Sequence, residues 1–170
     1  STVNWTIPGF TLEEFLGRFF NIWWLAYFFW FLGSITEIFI RPREMRWQLL
    51  IAFNHLTGLW LMMGSLSAWQ MWESSILLHA VTWLILPVYL HLHWIFPKPL
   101  ASMPKPAGIL LYAVSILMAI MEIFQFLPKY FYAMALLAAL VGSILLQISH
   151  FIWRSEQRKQ IGILAIATLL

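Results

Sequence analysis

The side chains in this chain that could do chemistry are few. They are His55, His79, His91, His93 and His150, the carboxylates Glu37 and Glu122, and the amides Asn54, Gln125 and Gln147. All of them interrupt long apolar stretches, where an ionisable group is costly unless it faces protein or a water-filled cavity. Imidazole can exchange a proton near neutral pH or ligate a metal or haem. Cysteine is absent, which removes disulfides, thiolate nucleophiles and thiolate-bound metals or clusters.

Spacing narrows the chemistry further. His79 and His93 are fourteen positions apart, about 21 Å along one helix, which is the separation of two haems stacked across a bilayer. Each haem needs a second axial ligand, and only His55 and His150 remain on other segments, both on the inner side. A haem b held by His93 with His55 or His150 is thus the one haem arrangement left open. No histidine or cysteine metal motif, glycine-rich phosphate loop, nucleophile elbow or paired acid-base carboxylates occurs. No catalytic residue is expected within this chain, and any catalytic domain would lie beyond Leu170. No resident cofactor is required by any motif, with haem b or a quinone as the alternative.

The elements that must position these residues follow from composition. Of 170 residues, 62% are hydrophobic and only 10% charged, against about 25% charged in an ordinary soluble domain. A water-soluble chain of this length has too little interior to hide that much apolar surface. Runs at 19–40, 47–68, 75–96, 107–127 and 130–153 are each long enough to cross a hydrocarbon core, which takes roughly 20 helical residues. A sixth run starts at Ile161 and is cut at Leu170, so further chain is expected. Barrel strands would give segments of about ten alternating residues, a poor fit. The expected fold is all-α, a polytopic transmembrane bundle of five complete spans and a truncated sixth, with residues 1–18 as a separate outer segment. Short connections predict that sequential helices are antiparallel neighbours.

Charge sets the orientation. With the N-terminus outside, the loops at 41–46, 97–106 and 154–159 are inside and hold eight Lys or Arg, leaving only Arg18 and Lys129 outside. The polar residues then fall into two layers. Glu37, Asn54, His55, His91, His93, Gln147 and His150 belong to the inner half, as candidates for coupling. His79, Glu122 and Gln125 lie toward the outer side, as candidates for a ligand pocket, with His79 and Glu122 at matching depth on adjacent spans. Each group also has a plain structural role open to it, such as reaching headgroups or bonding across helices.

Local signals add detail. Thr11 and Glu14 form a capping box with Phe10 and Phe15 at the staple positions, which predicts a helix from Leu12. Pro87 frees the carbonyl of Trp83 between His79 and His91, a candidate hinge. Ala135, Ala139 and Ser143, with Ala138 and Gly142 beside them, form a small-residue face suited to close helix packing or to a homodimer. The basic residues sit in short breaks between apolar runs, so no nucleic-acid surface is expected.

Two stretches carry a resemblance: residues 91–99, HLHWIFPKP, and residues 154–164, RSEQRKQIGIL. They resemble a histidine-to-FPxP segment and a later SxExRxQ-type loop in the N-terminal seven-helix sensor regions of bacterial membrane histidine kinases and related cyclase or phosphodiesterase regulators. The resemblance implies a sensor or receptor module of the bacterial cytoplasmic membrane, passing a signal to a cytoplasmic output domain or to associated membrane subunits. Two alternatives from other classes stay open: a structural or electron-transfer subunit binding haem, quinone or pigment, and a transporter fragment.

Overall fold

The computed structural model describes residues 23–40, 44–96 and 98–153. The helix expected from Leu12, the sixth run from Ile161 and the 154–164 stretch lie outside the described residues. Five helices are present and no strand occurs among the described residues. They are α1 (Trp23–Ile35, continuing as a π-helical turn over Thr36–Ile40), α2 (Met45–Ala68), α3 (Ser74–Ile95), α4 (Lys105–Ile123) and α5 (Ala133–Trp153). Helices α2 to α5 are each long and apolar enough to cross a membrane.

The bundle has the polarity of a protein dissolved in lipid. Asn54, Ser115, Ser143 and His150 are at most 2% exposed, whereas Phe39 and Ile109 are exposed by 78% and 70%. In water that arrangement would be reversed, because apolar surface would be driven inward. In hydrocarbon, apolar residues have no reason to leave the surface, and polar ones must find partners inside. The chain is a membrane protein.

Helix boundaries follow from backbone chemistry. Pro106 lies in the first turn of α4, after Pro104 at the N-cap, where a missing N–H leaves no intrahelical bond unmade. Helices α2 and α4 both stop in a Schellman motif. Gln70 and Gln125 take left-handed conformations with φ of 53° and 56°. The N–H groups of Gln70 and Met71 then reach back to Ser67 and Leu66, and those of Gln125 and Phe126 to Glu122 and Met121. The apolar run at 107–127 thus yields a helix that ends four residues early, at Ile123. The next helix starts three residues late, at Ala133, after turns in which Tyr130 also has positive φ.

Helix α3 is the hub. It packs against α2, α4 and α5, while α2 also packs against α1. The expectation that all sequential helices are neighbours fails at one junction: the backbones of α4 and α5 do not approach each other closely. The cause is the small-residue face of α5. Ala135 and Ser143 are fully buried, and a Cβ added at Gly142 would lie 2.6 Å from Leu90 Cδ2. That face fits α3 closely, so α5 returns to α3 and runs parallel to it, as the pairing of Trp83 with Phe131 and His93 with His150 shows. The core is the seam among the three: Ala80, Trp83 and Leu86 of α3, Ala119 of α4 and Ala135 of α5.

Glycines set the α1–α2 seam. A Cβ at Gly58 would lie 3.0 Å from the carbonyl oxygen of Ala26, and one at Gly33 would lie 3.0 Å from His55 Cε1. Such close backbone approach is available only to residues without side-chain bulk.

Candidate functional site

Polar side chains gather at three places. The first is at the N-terminal end of α3. There His79 Nδ1 lies 3.7 Å from Glu122 Oε2 of α4, and the Trp83 indole N–H donates to Glu122 Oε1 at 3.4 Å. Tyr132 stacks on the His79 ring with centroids 3.8 Å apart and planes within 10°. Glu122 is buried, so the indole and imidazole groups replace the water its carboxyl would otherwise hold. His79 and Glu122 therefore share the depth and interface expected of them. Gln125 is at the same end but exposed, three residues past Glu122, with its backbone N–H closing the turn onto the Glu122 carbonyl.

The second place is the opposite end of α3. His93 Nδ1 is 2.9 Å from the carbonyl of Tyr89, and His150 Nε2 of α5 is 2.9 Å from the carbonyl of His93. Carbonyls only accept, so both ring nitrogens named must carry protons, which sets the tautomers of the neutral rings. The His93 carbonyl is available because it lies in the last turn of α3, which ends at Ile95 and leaves its final carbonyls without partners inside the helix. Gln147 is buried on α5 one turn before His150. His91 faces away from this pair, with Nδ1 3.1 Å from the hydroxyl of Tyr112 on α4.

The third place is the α1–α2 seam. His55 Nδ1 is 3.1 Å from the carbonyl of Ile51, and Nε2 is 3.4 Å from Ser34 Oγ. The Ser34 hydroxyl itself is 3.0 Å from the carbonyl of Trp30, whose ring meets the His55 imidazole edge-on. Asn54 is buried, with its amide donating to the Leu50 carbonyl at 2.8 Å. Glu37 is exposed in the π-helical turn and joins none of these groups.

The inner-half candidates are thus dispersed over separate interfaces. His55 turns to α1 and His91 to α4, whereas His93 bonds its own helix through the ring and meets α5 through its backbone carbonyl. For a haem this matters: His93 and His150 are pinned by a direct hydrogen bond from one ring to the other residue's backbone, which leaves no width for a macrocycle between them. His55 meets neither. Among the described residues no group of three or more His, Cys, Asp or Glu is placed to hold a metal ion.

Neither of two grooves formed by described residues is lined by His79 or Glu122. A groove of about 460 Å³ lies between α1 and α2, lined by Trp23, Ala26, Tyr27, Trp30, His55, Gly58, Leu59 and Met62. Another of about 300 Å³ lies among α2, α3 and α5, beside the bond from Trp60 Nε1 to Thr82 Oγ1. Sequence reasoning passed over Ser34, Trp83, Tyr112 and Tyr132, since a serine or an aromatic residue in an apolar run carries no signal of its own. Gly33 and Gly58, isolated in apolar helices, were the readable hint of close packing at the α1–α2 seam. Comparison with protein-family models, with curated proteins and with solved structures returns no match to this chain.

Proposed function

We propose that this chain is the membrane-embedded input part of a bacterial signalling protein. In this reading the N-terminus is outside, and α3 relays a conformational bias toward a cytoplasmic output domain or associated subunit. One observation carries the reading: a single central helix bears both His79, paired with Glu122 of α4, and His93, bonded to His150 of α5, with Pro87 buried between them. Both ends are tied to neighbours by polar contacts that can break and re-form. The Trp83 carbonyl freed by Pro87 lowers the resistance of α3 to bending midway. A ligand at one end acts only if it binds two arrangements of α3 differently.

The chain lacks cysteine, so a single Ala101→Cys substitution accepts a trifluoromethyl label just beyond the far end of α3. The expected outcome is two resolved fluorine resonances whose ratio changes on Glu122→Gln and collapses to one on Pro87→Ala. A single resonance indifferent to both substitutions would remove the relay. A Soret band in the purified protein would replace it with the electron-transfer alternative.

A further inference from the structure

The α1–α2 groove has the makings of a ligand site. Its volume of about 460 Å³ lies within the range of small-molecule pockets, roughly 300–1,000 Å³, and its lining is apolar and aromatic except for one imidazole. Tyr27 and Trp30, on its wall, are exposed on the apolar face of the bundle, so an occupant enters sideways from the bilayer. The groove persists because Ala26 and Gly58 contribute almost no side chain to it.

The imidazole is weakly served at one nitrogen. The Ile51 carbonyl can only accept, so the proton of the neutral His55 ring is on Nδ1 and Nε2 presents a lone pair. Ser34 Oγ, 3.4 Å from Nε2, has one hydrogen, and the Trp30 carbonyl takes it at the shorter distance of 3.0 Å. Nε2 is thus an acceptor that competes for one hydroxyl hydrogen and has the longer of its two contacts. A hydroxyl brought into the groove would complete it.

We propose that the groove binds a lipid-soluble phenol or hydroquinone, its ring against Trp30 and its hydroxyl donating to His55 Nε2. Flat heads suit a wall of Trp23, Tyr27 and Trp30, since aromatic rings gain from offset or edge contact beyond simple burial. The donor requirement separates redox states of one molecule: a hydroquinone has the proton that Nε2 needs, whereas the corresponding quinone has only acceptors. Sites built around one buried hydrogen bond reject analogues lacking it. As the input to α3 this rests on the sensor reading, but binding itself does not.

The test uses the protein in lipid nanodiscs and a photoreactive alkylphenol carrying a diazirine, with adducts mapped by mass spectrometry. Adducts are expected on peptides containing Tyr27, Trp30 and Met62. Decylhydroquinone is expected to compete about tenfold better than decylbenzoquinone or 4-decylanisole, the discrimination typical of one lost hydrogen bond. His55→Phe should erase that preference, and Met62→Trp, which fills the groove, should erase the labelling. Equal competition by the quinone and the anisole, or adducts spread evenly over α4 and α5, would overturn the site. A long-chain primary alcohol competing as well as the phenol would overturn the aromatic head. Binding without any change in the fluorine spectrum at position 101 would show that the groove is not the input to α3 and leave the site standing.

Discussion

His150 Nε2 donates to the main-chain carbonyl of His93 at 2.9 Å, tying α5 to the end of α3. The carbonyl is free for this bond because it lies in the last turn of α3, which ends at Ile95, where no N–H within the helix reaches it. Both histidines are buried, so neither partner can fall back on water. His150→Ala should therefore destabilise the bundle by about 1–3 kcal/mol, the range for leaving a buried polar group unpaired. His150→Gln, whose amide can occupy the place of Nε2, should retain most of the stability. Thermal unfolding in detergent compares the two, and equal losses would contradict the hydrogen-bond account.

Glu122 accepts from the Trp83 indole and lies beside His79 in a buried seam. Glu122→Ala removes the acceptor for a buried N–H and is expected to cost about 1–3 kcal/mol. Glu122→Gln keeps a carbonyl oxygen for the indole and should cost less than about 1 kcal/mol. The indole N–H shift in a ¹⁵N-tryptophan spectrum reports directly on the contact, and should move on Glu122→Ala far more than on Glu122→Gln.

Gly58 and Gly64 are both in α2 but differ in their surroundings. A Cβ at Gly58 meets the Ala26 backbone oxygen at 3.0 Å, which cannot give way without moving α1. A Cβ at Gly64 would have Leu78 Cδ1 as its nearest neighbour at 3.8 Å, ordinary van der Waals contact. Gly58→Ala should destabilise by about 1–3 kcal/mol through overpacking. Gly64→Ala should be neutral or gain up to about 1 kcal/mol from helix propensity. Unfolding midpoints that shift equally would refute the close α1–α2 approach.

Gln70 and Gln125 adopt a left-handed backbone at the ends of α2 and α4, a conformation costing an L-residue about 1–2 kcal/mol. Glycine at either position removes that cost while losing more entropy on folding, so Gln70→Gly and Gln125→Gly should be stabilising by up to about 1 kcal/mol. Gln125 also tests the outer-pocket assignment. If its side chain contacts the input, Gln125→Gly will raise stability yet weaken the response at the label on position 101, whereas Gln70→Gly will leave that response unchanged.

The identity of the solvent was legible in the sequence, because the apolar excess and the length of each run depend on composition alone. So were the approximate helix positions and the pairing depth of His79 with Glu122, since helix rise converts position into depth. Ends were less legible: α4 stops at Ile123 inside an apolar run because Gln125 turns left-handed, and glutamine carries no such signal.

Which helices touch was decided only in three dimensions. Depth says nothing about azimuth around a bundle, so His55, His91, His93 and His150 read as one inner layer yet face different neighbours. The lack of close backbone approach between α4 and α5 arises in the same way. Loop length allowed adjacency, but the fit of Ala135, Gly142 and Ser143 against α3 decided it, since packing between helices in lipid depends on shape and close approach more than on apolar area.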